Sequence, residues 1–272
     1  MAKRWTKSEE TFYKKELEQL YIRENKTISE IGTLLGLSEK TVFKRLHRLQ
    51  LKTLPSKKTN FRNKRNDIAL PSRYSADLAE VFGILLGDGH ISKYQVVVTL
   101  GSKEKSYVTY IQELLEKVFK CKVTFSTRKA GYYDVYVGSK ELVDWFTKQG
   151  LVHHKVKSQV DCPLWIQKNE EYSQRFIRGF FDTDGTVYSL KKGAQIAFTN
   201  ASLPLLQSTR NMLLCLGYKP SVVSANKVYL TRQENLDRFF KTVLPQNKKH
   251  VDRFYTFKNT RVGTQVVNEG RL

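Results

Sequence analysis

Two short segments of this 272-residue chain are nearly the same. Residues 83–89 read GILLGDG and residues 179–185 read GFFDTDG, so each is an apolar stretch that leads directly into Asp-Gly. The two aspartates, Asp88 and Asp184, are separated by the length of a small domain. An internal repeat of this length predicts two copies of one fold, with two equivalent carboxylates meeting at a pseudo-twofold axis.

The same order of elements follows each segment, as judged from apolar periodicity and turn residues. Each repeat is therefore predicted to be α-β-β-α-β-β-α, which gives an α+β fold of two pseudo-symmetric repeats. The first repeat has a helix to 88, a strand pair ending at 95–100, a helix at 103–119, strands at 122–128 and 132–137, and a helix at 140–149. The second has a helix to 184, strands through 195–199, a helix at 203–216, strands near 221–224 and 227–231, and a helix at 234–243.

Small residues recur in both motif helices. Gly83 and Gly87 are four positions apart, and Gly179 and Thr183 occupy the matching positions. Residues with this spacing lie on one helix face and allow two backbones to approach closely. Because a helical glycine costs about 0.5–1 kcal/mol relative to alanine, we expect the two motif helices to pack against each other.

Each motif helix is predicted to end at its aspartate, with Gly89 and Gly185 as left-handed caps. A helix carboxyl end carries partial negative charge and disfavours a carboxylate there. Two such ends, brought together by the helix packing, would collect two carboxylates and several carbonyls that only a cation can satisfy. Oxygen ligands favour Mg²⁺, with Mn²⁺ as a substitute. The predicted metal site comprises Asp88, Asp184, Gly87 and Thr183.

The composition is strongly basic. The chain has 47 Lys and Arg against 26 Asp and Glu, a net charge of +21, which predicts a polyanionic partner. No apolar run approaches the ~20 residues of a spanning helix, so a membrane is not expected. The start is not a signal peptide, and three widely spaced cysteines support neither a disulfide frame nor a zinc site. A cytoplasmic location is expected, nucleoid-associated if the protein is prokaryotic or phage-encoded.

The first fifty residues predict a helical unit. An amphipathic helix at 8–24 is followed by a capping box from Thr27 to Glu30, a short helix through 35, a turn at Gly36 and a third helix capped by Ser38. Residues 28–49 resemble the helix-turn-helix family. Val42, Leu46 and Leu49 would face the core, although a plain three-helix bundle remains an alternative. The groove-facing candidates are Lys40, Thr41, Lys44, Arg45, His47 and Arg48.

The chain is accordingly divided into four segments. We expect a helix-turn-helix domain at 1–52, a basic linker at 53–73, the first repeat at 74–168 and the second repeat at 169–272. The linker contains six basic residues and two prolines, and it can lie along phosphates or act as a tether.

The two motifs and the element order resemble the single-chain LAGLIDADG homing endonucleases, over about residues 75–258. The resemblance implies cleavage of both strands of a long double-stranded DNA target across the minor groove, by a monomer that acts as a pseudo-dimer. It also implies that the last acid of each motif, Asp88 and Asp184, binds divalent metal and is catalytic. The first repeat has Leu86 where the second has Asp182, but that position is not the metal ligand.

The family also places a polar residue near the end of the second strand and a basic residue after the last helix of each repeat. By position these are Thr99 and Thr199, then Lys155 and Lys249 as catalytic candidates. Lys157 and Lys248 lie close by in the sequence.

Alternating residues in the strands predict a DNA-facing surface, since one side of such a strand is apolar and the other polar. Cys121, Val123 and Phe125 would pack under the helices, as would Val228 and Leu230. The polar face carries Lys122, Thr124, Ser126, Arg128, Tyr132, Asp134 and Tyr136 in the first repeat, and Lys227, Tyr229 and Thr231 in the second.

Two other functions remain open. Some bacterial transcription regulators join a noncatalytic LAGLIDADG fold to a helix-turn-helix, but they have lost the motif acids that this chain keeps. An RNA-splicing maturase can be built on the same scaffold, although a reading helix favours duplex DNA over A-form RNA. An intein-embedded form is not expected, because the sequence begins with Met and has no splicing cysteine or serine at its ends.

Overall fold

The computed structural model describes residues 6–24, 26–51, 67–128, 131–190 and 193–269. The chain forms two compact units, residues 1–62 and 63–272. Most of the predicted basic linker, residues 53–66, lies outside the described residues.

The first unit is built from three short helices, as predicted. Helix α1 (Lys7–Glu18) continues into a π-helical turn at Gln19–Arg23, and α2 (Ile28–Leu34) and α3 (Glu39–Arg48) follow. The predicted capping box is present, since the backbone NH of Glu30 donates to Thr27 Oγ1 at 3.2 Å and the backbone NH of Thr27 donates to the Glu30 carboxylate at 2.7 Å. Ser38 caps α3, and Val42, Leu46 and Leu49 are buried.

The first repeat of the second unit has the predicted order of elements. It consists of α4 (Ala76–Leu86), β1 (Gly89–Ile91), β2 (Gln95–Leu100), α5 (Lys105–Phe119), β3 (Thr124–Thr127), β4 (Tyr133–Gly138) and α6 (Lys140–Lys148). The four strands form one antiparallel sheet in the order β1-β2-β4-β3.

The second repeat follows the same plan with one strand fewer. A short α7 (Leu164–Gln167) precedes α8 (Glu170–Asp184), β5 (Gly185–Leu190), β6 (Gly193–Thr199), α9 (Leu203–Cys215), β7 (Lys227–Leu230) and α10 (Gln233–Thr242). The chain then enters α11 (Lys248–Glu269). Strands β5, β6 and β7 form a three-stranded antiparallel sheet. The predicted α+β class with two sheets is confirmed.

The register shows how closely the repeats correspond. Gly89, directly after Asp88, pairs with Val98, and Gly185, directly after Asp184, pairs with Phe198. Each motif helix is therefore followed within two residues by the first strand of its own sheet, which holds each aspartate where the helix and the sheet meet.

Two details of the strand prediction are wrong. Residues 221–224 form no strand; they make a single bridge between Ser224 and Lys227 and a hydrogen bond from the Ser221 NH to the Tyr229 carbonyl at 2.9 Å. Phe125, expected under the helices, is 46% exposed. The reason is its place on β3, which is the edge strand of its sheet and is paired with β4 on one side only.

Helices α4 and α8 pack with their backbones in contact. A Cβ atom added at Gly83 would lie 2.2 Å from the Phe176 carbonyl oxygen, and one added at Gly179 would lie 2.3 Å from the Glu80 carbonyl oxygen. No side chain larger than hydrogen fits at either position. The small-residue face predicted from the sequence is thus the interface between the two repeats.

The interface also buries a charged cluster. Glu80 is fully buried and accepts hydrogen bonds from Arg178 and, at 2.5 Å, from the Tyr110 hydroxyl. Arg175 pairs with the same carboxylate at 2.8 Å. Because Glu80 lies on α4 and both arginines lie on α8, these ion pairs join the two repeats near the middle of the helix pair.

Candidate metal centre

The two motif aspartates lie at the carboxyl ends of the helix pair, but the local geometry differs from the prediction. Helix α4 ends at Leu86, and Asp88 lies in the following turn, whereas α8 continues to Asp184. Gly89 and Gly185 are not left-handed caps; each begins a strand, and Gly185 has φ −82°. These glycines are needed for space, since a Cβ at Gly89 would lie 2.5 Å from Leu85 Cα and one at Gly185 would lie 2.2 Å from the Phe181 carbonyl oxygen.

The predicted metal-site residues lie together. A Cβ at Gly87 would lie 2.0 Å from Thr183 Oγ1 and 3.4 Å from Asp184 Cγ. Burial raises the pKa of Asp88, with a further rise from the Glu104 charge. Burial also raises the pKa of Asp184 to about 7, and the Asp88 charge adds to this. The two carboxylates therefore occupy one poorly solvated volume and repel each other.

Lys155 lies at the end of helix α4 and interacts with both aspartates. Its ammonium group donates to the carbonyl oxygens of Leu85, Leu86 and Gly87 at 2.9, 3.1 and 2.5 Å, which are carbonyls that helix α4 leaves unpaired at its end. Burial lowers the pKa of Lys155, while the charges of Asp184 and Asp88 oppose that shift. The predicted basic residue of the first repeat is thus close to both motif aspartates.

Lys249, its counterpart after the second repeat, is held differently. Its ammonium group pairs with Glu104 Oε1 at 2.8 Å, and the same oxygen accepts a hydrogen bond from Asn247 Nδ2 at 2.6 Å. Burial would raise the pKa of Glu104, but these two donors outweigh it and the pKa is lowered. Lys249 lies close enough to Asp88 to lower the pKa of that carboxyl, so it borders the same site.

Asp182 has a structural role. Its carboxylate is fully buried and accepts hydrogen bonds from the backbone NH groups of Gln246 and Asn247 at 2.8 and 3.1 Å, just before α11. Burial raises its pKa to about 8 despite these donors. The acid that the first repeat lacks at Leu86 therefore anchors the chain after α10 and does not face Asp88.

The donor set suits a hard divalent cation. The Asp88 carboxylate accepts no hydrogen bond from the described part of the chain, and Asp184 accepts one, from Asn200 Nδ2 at 2.5 Å. The described residues hold no cluster of three or more His, Cys, Asp or Glu side chains arranged for a metal. Two carboxylates with backbone carbonyls beside them match the way Mg²⁺ binds, through one or two carboxylates with the remaining ligands supplied by water and phosphate.

The outer faces of the two sheets carry the other predicted residues of the second unit. Thr124 and Ser126 are exposed and pair in register with Tyr136 and Asp134. Arg128 Nε donates to Asp134 Oδ2 at 2.6 Å, and Thr99 Oγ1 donates to Asp134 Oδ1 at 2.8 Å. The remaining predicted residues lie on the same outer faces: Lys122 is exposed, and Tyr136, Thr199, Lys227 and Tyr229 are half-buried.

In the first unit, helix α3 has the predicted polar face with two exceptions. Thr41 and Arg45 are half-buried, because the Thr41 hydroxyl shares a hydrogen bond with Ser38 at 2.8 Å and the Arg45 guanidinium lies 5.2 Å from the Tyr13 ring centroid. Phe43, which the sequence reasoning missed, is 51% exposed. The exposed polar residues of this face are Lys40, Lys44, His47 and Arg48.

Three further residues at the centre were missed. Asn200 binds Asp184, Glu104 binds Lys249, and Asn247 binds Glu104. Only Asn200 had a sequence signal, since it directly follows Thr199 at the end of its strand. Glu104 is distant in sequence from both Lys249 and Asn247, so no spacing rule could have found this group.

Comparison with known protein families assigns the second repeat. The model of the LAGLIDADG-like domain matches residues 171–244, which include Asp182, Asp184 and the elements from α8 to α10. The chain contains a LAGLIDADG-like domain. Since α4 to α6 repeat the same order around Asp88, the predicted family resemblance is confirmed at this level.

The relatives that this chain matches have unrelated names. It is 34% identical over 117 residues to the replication factor C small subunit of Methanocaldococcus jannaschii, covering 43% of this chain and 6% of that protein. It is 22% identical over 184 residues to glutamine-fructose-6-phosphate aminotransferase of the same organism, covering 67% of this chain and 16% of that protein. It is 28% identical over 171 residues to a ribonucleoside-diphosphate reductase subunit of Bacillus subtilis, covering 57% of this chain and 16% of that protein. The chain thus spans less than a fifth of each of these relatives.

Solved structures similar to this chain include LAGLIDADG proteins of two kinds. The N-terminal LAGLIDADG domain of WhiA is 15% identical with a TM-score of 0.46, covering 66% of this chain and 88% of that one. The homing endonuclease I-WcaI bound to its DNA recognition sequence is 13% identical with a TM-score of 0.46, covering 74% and 96%. I-DmoI in complex with DNA and Mn is 20% identical with a TM-score of 0.43, covering 62% and 96%.

Within the described ranges, no helix is both long and apolar enough to cross a bilayer.

Proposed function

We propose that the chain is a metal-dependent, site-specific DNA endonuclease that cuts both strands. The observation that carries this proposal is the pair of poorly solvated carboxylates, Asp88 and Asp184, held at the ends of two helices whose backbones touch at Gly83 and Gly179. The fold confines two negative charges that water does not solvate, and this cost is offset when a divalent cation binds.

Each residue of the centre has a separate task. Asp88 and Asp184 would hold the metal, and Asn200 fixes the carboxylate of Asp184 through its Nδ2 donor. When bound, Mg²⁺, or Mn²⁺ in its place, supplies activation of water and stabilisation of charge on the phosphate oxygens. Lys155 and Lys249 border the carboxylates and would stabilise the negative charge of a scissile phosphate on either side.

The outer sheet faces would bind the DNA. They carry exposed hydroxyl and basic side chains such as Thr124, Ser126 and Arg128, and the chain has a net charge of +21. Basic groups bind phosphates without regard to sequence, and hydroxyl groups can also contact base edges. We propose that α3 of the first unit acts as the reading helix of a helix-turn-helix, with exposed Lys40 and Lys44 at its beginning.

The relatives favour a homing role. A LAGLIDADG-like segment that makes up 6 to 16% of a replication factor, an aminotransferase and a reductase subunit cannot account for three unrelated activities. Such a distribution is what a self-contained segment inserted into different hosts would leave. We therefore propose that DNA cleavage by this scaffold serves the spread of its own coding sequence, with the protein acting as a cytoplasmic monomer.

The main alternative is a DNA-binding regulator without cleavage activity. The similarity to a WhiA domain keeps this possibility open, and an RNA-splicing maturase is a second alternative. The presence of both motif acids favours the nuclease, because a binding protein has no use for two carboxylates with raised pKa at the end of a helix pair.

The test is a search for cleaved ends. The full-length protein is incubated with a library of genomic fragments in Mg²⁺ or in EDTA, and new double-strand ends are sequenced. We expect one recurring site that appears only with Mg²⁺ and disappears in Asp88→Asn and Asp184→Asn, while both variants still retain labelled DNA of that site in a gel-shift assay. Specific retention without cleavage by the wild type would favour the regulator, and cleavage by the double variant would contradict the assignment.

A further inference from the structure

The Lys155 ammonium group occupies the position where the carbonyls of helix α4 and both carboxylates converge. It is bound by three successive carbonyl oxygens, at 2.5 to 3.1 Å, and these are three of the four carbonyls that the helix leaves unpaired at its end. A lysine whose three donors all point at a helix end is fully committed, because an ammonium group has three donors and no more.

Lys155 also interacts through its charge with both motif aspartates. Lys155 lowers the pKa of both Asp88 and Asp184, and Lys249 also lowers the pKa of Asp88. The two aspartates are the charged groups that act on Lys155 in return. The carbonyl cluster also carries the partial negative charge of the helix end. Lys155 thus acts on both carboxylates and on the helix end, as a divalent cation bound there would.

Lys155 lies in a turn segment from which its side chain can move away from the end of α4. Residues 153–159 form consecutive turns outside any helix or strand, and Val156, the next residue, is 56% exposed. The aliphatic stem of lysine is long and flexible, so the ammonium group can swing away without unfolding of either repeat. The Lys249 side chain does not have this freedom, because its ammonium group is paired with Glu104.

We propose that Lys155 is a resident cation: its ammonium group caps helix α4 and neutralises the motif aspartates in the metal-free protein, and it leaves that position when a divalent cation binds. The displaced ammonium group is then free to meet a phosphate of the substrate. This inference rests on the proposed metal centre and adds that metal binding and Lys155 capping compete.

The test uses full-length protein without DNA, stripped of metal with EDTA, with Ca²⁺ alone as the probe. Lys155→Met should lower Tm in EDTA by about 3–6 °C because three charge-assisted hydrogen bonds are lost. The same variant should bind Ca²⁺ about tenfold more tightly in a calorimetric titration, since the competing charge is gone. Saturating Ca²⁺ should close most of the Tm difference from wild type.

A matched control makes the result specific. Lys157→Met removes an exposed lysine of the same turn segment and should not tighten Ca²⁺ binding as Lys155→Met does. Lys155→Gln is the second variant if Lys155→Met does not fold, because the amide can still donate to a carbonyl while lacking the charge. The resident-cation role is overturned if Lys155 variants bind Ca²⁺ no more tightly than wild type, or if Lys157→Met gives the same gain.

Failure of the metal centre itself would look different. If wild type and the Asp88→Asn, Asp184→Asn double variant respond alike to Ca²⁺, then these aspartates hold no metal and the proposed function falls with them. If wild type responds and the double variant does not, the centre stands and the Lys155 comparison alone decides the inference.

Discussion

Replacing Gly83 by alanine tests whether the contact between the two helix backbones holds the repeats and the metal centre together. The new Cβ would lie 2.2 Å from the Phe176 carbonyl oxygen and 2.8 Å from the Phe180 backbone nitrogen. Both are backbone atoms of α8 that cannot rotate away, so the helices would have to separate locally by about 1 Å to restore ordinary contact.

The magnitude follows from two opposing effects. Overpacking a well-filled interface costs about 1–3 kcal/mol, while glycine to alanine in a helix gains about 0.5–1 kcal/mol. We expect a net loss of about 1–2 kcal/mol in the free energy of unfolding, which lowers Tm by about 3–8 °C for a unit of this size. Because Asp88 follows α4 and Asp184 ends α8, the same separation should weaken Ca²⁺ binding.

The assay is differential scanning calorimetry with a calcium titration on the same preparation. Gly138→Ala is the matched control, since the nearest atom to its Cβ would be Gln95 Cγ at 3.9 Å. We expect that control to keep or slightly raise Tm. A Gly83→Ala protein that is as stable as wild type, or more stable, would refute the backbone contact and with it the argument that these glycines place the aspartates.

The remaining predictions concern buried ionisable groups. Glu80→Ala leaves Arg178 buried without its carboxylate and should lower the free energy of unfolding by about 3–5 kcal/mol; in urea denaturation Glu80→Gln, which keeps the shape, should lose clearly less, and equal losses would argue against the ion pair. Burial lowers the pKa of His250 to about 3, and the positive charge of Lys249 lowers it further. The unfolded chain therefore takes up this proton near pH 6.5 and the folded protein only near 3, so stability falls as pH drops between these values. His250→Leu should flatten that part of a pH series of denaturation curves, and an unchanged slope would assign the acid sensitivity elsewhere.

The motif helices show how far local sequence reasoning reaches. Glycines four residues apart, followed by Asp-Gly, were enough to predict the packing of α4 on α8 and the position of Asp88 and Asp184, because helix periodicity fixes which residues share a face. The same reasoning misassigned Gly89 and Gly185 as left-handed caps. Asp-Gly is a common end to a helix, and only the strands β1 and β5 that follow decide the backbone angles.

The first unit and the order of elements in the repeats were predictable for the same local reason. The capping box at Thr27 and the cap at Ser38 are contacts between residues three apart, and the core positions of α3 follow from its period. The missing strand at 221–224 and the exposure of Phe125 were not predictable, because they depend on which strand lies at a sheet edge. Alternation in a sequence gives two faces and does not say whether anything covers them.

The sequence by itself determined that the chain has two α+β repeats, a basic surface and two motif aspartates, since each of these follows from composition or from spacings within one element. Only the tertiary structure decided how the charges are shared at the centre. Lys155 caps the end of α4, Glu104 holds Lys249, and Asp182 anchors the start of α11. These pairs join residues 64 to 145 positions apart, and burial, which sets their pKa values and their strength, exists only once both repeats are folded against each other.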